Sequence, residues 1–365
     1  MTGDPVPPPG AWAARALGRL AADAAPTPLR PLRLPALPEL ELHVKDESAH
    51  PTGSIKHRLL REQFRAAVEN GALAGGTPVV MGSGGAAAVA GAYFARLVGL
   101  PFTAVLSRTA PAAVRARIER YDGRCRIGEL PPAAVLEEAR ALAERTGGHL
   151  LDHFAAAAGP PDGPGPLPGL AEEILAGLRG ARHPVPEWLV AGAGTGATAA
   201  SLGHHLRSHR LPTRLAVADP ENSAYFPAWA SGCADYATGM PSRIPGIGRP
   251  RTEPGFRADL IDLVVPVPDA ASVAAMRWLH TTAGLACGPA TGTALWAACH
   301  LAARLRSEGA RGGLVLVAGD GAEPYRTTHL DPGWLAAKGL DPAPYEALLE
   351  RFARTGEWAW PRPAD

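Results

Sequence analysis

Short apolar runs alternate with amphipathic segments along most of this chain, and no other feature restricts the fold as strongly. Thr77–Met81 reads as a strand, Gly82–Gly85 as a turn and Ala86–Val98 as a helix. Phe102–Leu106, Ala112–Tyr121, Arg124–Ile127 and Pro132–Thr146 continue as strand, helix, strand and helix. Residues 155–169 (AAAAGPPDGPGPLPG) hold too many Pro and Gly for either element and read as a loop. The rhythm then resumes. Leu170–Leu178 is a helix, Trp188–Ala191 a strand, Thr198–Ser208 a helix and Arg214–Ala218 a strand. Leu263–Val265, Ala270–Thr282, Thr291–Ser307 and Gly313–Ala318 complete it as strand, helix, helix and strand. Strands and helices that alternate at this spacing build parallel sheets covered by helices. The expectation is an α/β chain of two domains, each a mostly parallel sheet between helices.

The remaining segments frame that core. Residues 1–44 read as an N-terminal arm with a helix around Trp12–Ala25 and a strand at Leu40–Val44, packing on the larger domain. Residues 45–155 form the smaller domain and 156–365 the larger. The helix expected at Lys56–Glu69 belongs to the smaller one. A net charge of +1 provides no basic field for a phosphate backbone, which argues against nucleic acid as a partner. Arg96 interrupts the longest apolar candidate for a membrane span, so no membrane is expected. The opening MTGDPVPPPG lacks the regions of a signal peptide. Cys125, Cys233, Cys287 and Cys299 show no CxxC spacing and read as reduced thiols of a cytoplasmic protein, with no metal site.

Of 36 Lys plus Arg, only Lys45, Lys56 and Lys338 are lysines. Arginine supplies surface charge equally well but cannot supply a neutral, nucleophilic amine, so each lysine gains weight as a chemical group. Lys56 follows the turn Pro51-Thr52-Gly53-Ser54 into the first turn of a helix. There the helix dipole disfavours an ammonium, and an amine so placed can form a Schiff base with an aldehyde. Ala191-Gly192-Ala193-Gly194-Thr195-Gly196-Ala197-Thr198 leads from a strand into a helix. Its backbone N–H groups and two hydroxyls suit one phosphate, and it is neither GxGxxG with an acidic partner nor a P-loop. Ser83-Gly84-Gly85-Ala86-Ala87 makes a second cradle, suited to a carboxylate or a cofactor edge. Gly288-Pro289-Ala290-Thr291-Gly292-Thr293 is a further turn before a helix. A reactive lysine, a cup for one phosphate and two more such turns fit pyridoxal phosphate better than a nucleotide. His57, His204, His205, His280 and His300 show no ligand spacing and read as packing or surface residues.

These landmarks fall in a familiar order. Lys45-Asp46-Glu47-Ser48-Ala49-His50-Pro51-Thr52-Gly53-Ser54-Ile55-Lys56-His57-Arg58 resembles the cofactor-lysine signature of the cysteine synthase and cystathionine β-synthase family, the fold-type II pyridoxal phosphate enzymes. The likeness runs through the Gly-rich cup, Asp219-Pro220-Glu221-Asn222-Ser223, Pro245-Gly246-Ile247-Gly248, the GPATGT turn and Asp320-Gly321, from residue 40 to 330. The HPTGS-x-KHR form, Ala92–Phe102, the DPENS run and Gly246–Arg251 look most like the bacterial L-cysteine desulfhydrase branch.

That resemblance implies the tryptophan synthase β-like architecture, a homodimer, and pyridoxal 5′-phosphate bound to Lys56 in a cleft between domains. Gly194, Thr195, Gly196, Ala197 and Thr198 would hold its phosphate, with Ala86, Ala290 and Thr291 against its ring. Ser83, Gly84, Gly85, Ala86, Ala87 and Gly246 would meet a small amino-acid substrate. The implied reaction is β-elimination on cysteine or a related β-substituted alanine, giving sulfide, pyruvate and ammonia. The alternatives are β-replacement on an activated serine and a weakened homologue acting as a non-catalytic partner subunit. The chain departs from the family pattern at Ala86 (usually Asn or Ser), at Ala197 (usually Gly), at Ala290 (usually Ser) and at Pro324 (often Arg).

Overall fold

The computed structural model describes residues 10–129, 134–159 and 165–359. In chain order the elements are α1 (Ala11–Ala22), β1 (Leu29–Leu32), β2 (Leu40–Asp46), α2 (Lys56–Glu69), β3 (Val79–Gly82), α3 (Ala86–Val98) and β4 (Phe102–Leu106). Next come α4 (Ala112–Glu119), β5 (Arg124–Ile127), α5 (Val135–Thr146), β6 (His149–Leu151), α6 (His153–Ala158), α7 (Leu170–Gly177), β7 (Trp188–Gly192) and α8 (Ala197–Ser208). The chain ends with β8 (Arg214–Pro220), α9 (Tyr225–Ser231), β9 (Leu263–Val267), α10 (Asp269–Ala283), α11 (Pro289–Ser307), β10 (Gly312–Ala318), α12 (Pro332–Ala337) and α13 (Ala343–Thr355). Contacts divide it into two units, Met1–Pro26 with Lys56–Ala156, and Thr27–Ile55 with Ala157–Asp365.

The first unit holds a four-stranded parallel sheet in the order β5-β4-β3-β6. Alternation along the strands decides what each face carries. Val80 and Val105 pack against Val135, Ala139 and Ala143 of α5. On the other face α3 lies so close that a methyl group on Gly91 would fall 2.8 Å from the Phe102 ring. Helices α1, α2 and α3 pack on one another. The second unit holds six strands in the order β1-β2-β10-β7-β8-β9, all parallel except the β1–β2 pair. Strand β10 is buried along its whole length, which is why Gly313–Ala318 reads as an unbroken small and apolar run. Helix α11 covers β10, β7 and β8, and α8 packs on β7 and β8.

Most expected elements lie within two or three residues of their observed ends. The expected arm is divided between the units: α1 packs on α2 and α3, whereas β2 pairs in parallel with β10 from Leu40↔Gly312 to Asp46↔Ala318. Residues 45–55 therefore continue a strand of the second unit. Strand β1 escapes a reading by pattern because Pro31 sits in it; as an edge strand it tolerates the missing donor. The loop expected from residue 155 starts later, since α6 runs on to Ala158, and residues 160–164 of it lie outside the described residues. The first two residues of the helix expected at 132–146 also lie outside them. Among the described residues no helix is long and apolar enough to cross a membrane.

Candidate active site

The segment ahead of Lys56 is built by the second unit. Strand β2 ends at Asp46, whose carboxylate accepts from the Ser48 N–H and opens a single 3-10 turn. A tight turn follows, closed by the Gly53 N–H on the His50 carbonyl at 2.7 Å, with Gly53 at φ 68°. The end of β10 pins that turn. Ile55 N–H donates to the Gly319 carbonyl at 2.8 Å, Gly321 N–H donates to Gly53, and Ser54 bridges Asp320. Thr52 and Ser54 are buried, and the Ser54 hydroxyl has no hydrogen-bond partner among the described residues. Lys56 is then the first residue of α2, half-buried, in a first turn that holds no acidic residue.

The Gly-rich cup lies wholly in the second unit. Strand β7 runs into Ala193–Gly196, and α8 begins at Ala197 with Gly196 as its N-cap. Its carbonyls face inward and are taken up: Ala193 by the Gly248 N–H at 2.8 Å, Gly194 by the Tyr225 hydroxyl at 2.5 Å, Gly196 by the Ala200 N–H at 2.9 Å. Thr195 Oγ1 accepts from the Ala197 N–H at 3.4 Å. The backbone is packed to contact. A Cβ on Gly194 would stand 2.0 Å from the Gly246 carbonyl oxygen, and one on Gly196, at φ +88°, 2.1 Å from that of Gly255. The first turn of α8 carries no acidic residue, so its N–H groups and positive dipole end present an uncompensated anion site.

Two further elements meet the cup. Gly246 (φ +87°) lies against Gly194, and its neighbour Ile247 packs with Ile244 and Ala290 in one apolar cluster. Ala290 and Thr291 lie in the first turn of α11, whose N-cap Gly288 donates its N–H to the Asp320 carbonyl at 3.0 Å. Asp320 in turn accepts from the Tyr325 hydroxyl. Thr291 is fully buried, and among the described residues the Cys287 thiol is the polar contact of its hydroxyl. Burial pushes the Cys287 thiol far up, so it stays protonated.

The carboxylate-type cradle belongs to the first unit. Strand β3 ends at Gly82, and a Cβ there would fall 2.9 Å from the backbone of Leu136 on α5. Ser83 N–H donates to the Val105 carbonyl at 3.1 Å, and its hydroxyl accepts from the Gly85 N–H at 3.4 Å. Gly85 caps α3, which begins with Ala86 and Ala87. Lys56 and Ser83–Ala87 thus lie in the first unit, on α2 and at the start of α3. Gly194–Thr198, Gly246, Ala290 and Thr291 lie together in the second.

One residue in the second unit, Tyr225, escaped the reading of the sequence, and a second, Asp219, was read only as part of a run. Tyr225 locks the cup through the Gly194 carbonyl and stacks on Phe256 with ring centroids 4.1 Å apart. Burial raises its pKa, so it remains a donor. Asp219 is the buried penultimate residue of β8 and accepts from the Phe226 N–H at 2.8 Å, which positions the helix bearing Tyr225. Burial lifts its carboxyl to about 6 against contacts with Ser223 and Phe226. The DPENS run contained Asp219 and stopped two residues short of Tyr225, which carries no spacing signal of its own. His204 and His205 are half-buried, and His205 pairs with Glu172 at 3.2 Å. No cluster able to hold a metal ion occurs among the described residues.

A helix N-terminus without acid, two threonine hydroxyls and a buried Thr291 hydroxyl at a second helix start form a donor set that fits a cofactor with one phosphate and one ring nitrogen. The profile of the pyridoxal-phosphate dependent enzyme family matches residues 20–319, and the chain belongs to that family. It is 44% identical to an L-cysteine desulfhydrase of Mycobacterium tuberculosis over 95% of this chain and 96% of the relative. It is 29% identical to an O-ureido-L-serine synthase of Streptomyces lavendulae over 85% of this chain and 94% of that one. The crystal structure of O-ureido-L-serine synthase superposes with a TM-score of 0.72 at 25% identity, covering 87% of this chain and 98% of that one. The fold is accordingly that of the fold-type II pyridoxal phosphate enzymes, and pyridoxal phosphate is the cofactor of this family.

Proposed function

We propose that the protein is a carbon–sulfur lyase that converts L-cysteine and water into hydrogen sulfide, pyruvate and ammonia. The near full-length identity to an L-cysteine desulfhydrase carries this reading. Bound pyridoxal phosphate supplies an electron sink that acidifies the substrate Cα proton. Lys56 would hold the cofactor aldehyde, and its amine, when free, would serve as the base for the Cα proton. Gly194, Thr195, Gly196, Ala197 and Thr198 would hold the phosphate through N–H groups and hydroxyls, with the Gly194 carbonyl engaged by the Tyr225 hydroxyl. The Thr291 hydroxyl serves the ring nitrogen in place of the usual serine, with Ala290 packing beside it. Ser83, Gly84, Gly85, Ala86 and Ala87 would receive the substrate carboxylate through the Ser83 hydroxyl and the N–H groups after Ser83, whose own N–H is taken by the Val105 carbonyl, and Gly246 is the substrate contact expected of the second unit. In this reading the smaller catalytic domain starts at Lys56 and ends at Ala156, residues 45–55 going with the larger one, in a homodimer located in the cytoplasm; the four unpaired cysteines agree with a reducing compartment.

A second reading is β-replacement on an activated serine, favoured by the structural likeness to O-ureido-L-serine synthase. The test is one titration of the yellow holoenzyme with L-cysteine and with O-acetylserine, read by absorbance, sulfide and pyruvate. Sulfide and pyruvate in equal amounts from cysteine support the lyase. Absorbance changes with O-acetylserine that persist until a thiol is added support replacement. Lys56→Ala should lose both colour and turnover, and a colourless wild type unaffected by added cofactor refutes both readings.

A further inference from the structure

The first turn of α2 reads Lys56-His57-Arg58, three basic residues where the helix dipole favours acids, and none of its own residues is acidic there. The missing anion comes from another helix. Asp23 is the C-cap of α1, a position that disfavours a carboxylate. Its Oδ2 nevertheless lies 2.6 Å from His57 Nε2, and its Oδ1 accepts from the Tyr93 hydroxyl at 2.6 Å. His57 is completely buried between the Tyr93 and Phe94 rings, with centroids at 5.2 and 4.6 Å. Burial would lift the Asp23 carboxyl, but the contacts with His57 and Tyr93, together with the Arg61 charge, outweigh it and hold it below the ordinary range. Burial and Asp23 raise the Tyr93 phenol, so it stays a donor. Three helices of the first unit therefore converge on one carboxylate, one residue from Lys56.

We infer that Asp23, His57 and Tyr93 form a positioning triad that fixes the first turn of α2 and so sets the place of the Lys56 amine. None of the three touches the reacting atoms; each acts through Lys56, and the inference rests on the proposed role of that lysine. Asp23 supplies the anion that the N-terminus of α2 lacks. His57 takes up that charge while its ring is clamped by aromatic packing. Without the carboxylate, the buried imidazole between the Tyr93 and Phe94 rings loses its contact with Asp23, and the turn carrying Lys56 loses that anchor.

The experiment compares holoenzyme carrying Asp23→Ala, Asp23→Asn or Tyr93→Phe with wild type and with Lys56→Ala. Turnover, KM and the pH midpoint of the lysine-bound cofactor's visible band are measured. Asp23→Ala should lower kcat about tenfold or more, as expected for a misplaced reacting group, with KM changed less than about threefold. It should also move the band midpoint by about half a pH unit or more. Asp23→Asn, which keeps shape without charge, should fall between, and Tyr93→Phe should shift both readouts in the same direction by less. Wild-type kcat and midpoint in folded Asp23→Ala or Tyr93→Phe, with only a lower melting temperature, would make the triad purely structural and overturn the inference. If Asp23→Ala does not fold, Tyr93→Phe, which deletes a single hydroxyl, decides the matter. A yellow, active Lys56→Ala would instead overturn the assignment of the lysine itself.

Discussion

Replacing Gly196 by alanine isolates the cup from everything else in the second unit. Two penalties combine at that position. Gly196 has φ +88°, and a left-handed backbone costs a residue with a Cβ about 1–2 kcal/mol. The added methyl would also stand 2.1 Å from the Gly255 carbonyl oxygen, 2.2 Å from its carbon and 2.6 Å from the Phe256 nitrogen. All three are backbone atoms, so no side chain can swing away and a chain segment must move by more than an ångström. Overpacking of this kind typically costs about 1–3 kcal/mol. Together roughly 2–5 kcal/mol falls on a loop whose N–H groups must converge on one phosphate. Expressed in cofactor binding, that is a loss from about thirtyfold to several thousandfold. The assay is a titration of apoprotein with pyridoxal phosphate read by the visible band, beside the melting temperature of the apoprotein. Gly18→Ala is the control, because a Cβ there meets nothing within 4 Å. Cofactor affinity within threefold of wild type in a normally folded Gly196→Ala would refute the argument that this loop is held at contact distance for phosphate binding.

Two other outcomes can be measured directly. Burial raises Asp219 to about 6, so the folded state binds its proton more tightly than the unfolded chain, and stability from this group is present below the unfolded pKa and lost as pH rises toward 6. The shift is worth on the order of 3 kcal/mol; denaturant midpoints of Asp219→Asn between pH 4 and 6 should be flatter than wild type, and an unchanged slope would count against a buried, ionisable Asp219. Cys233 is exposed while Cys287 and Cys299 are buried, their thiols driven up by burial. A thiol reagent at neutral pH should label Cys233 in a fast phase that Cys233→Ser removes, and rapid labelling of Cys287 in native protein would show its site to be open.

Alternation of apolar and helical segments determined the fold class, because one period serves strands and another helices and each run here keeps to its own. Helix α2 at Lys56–Glu69, helix α3 at Ala86–Val98 and strand β4 at Phe102–Leu106 were all legible that way. The places of Lys56 at a helix start, of the 194–198 turn and of the Ala290–Thr291 turn were legible too, since a scarce amine and small residues at strand-to-helix turns are local signals. What a local signal does not contain is partnership. Only the tertiary structure carries β2 to the edge of β10 and so assigns residues 45–55 to a different unit from the lysine that follows them. It alone aims Tyr225 at the Gly194 carbonyl and brings Asp23 from the end of α1 to His57, across 34 residues of chain. Hydrogen bonds and ion pairs between distant segments depend on where packing closes the chain, and no spacing along the sequence encodes that closure.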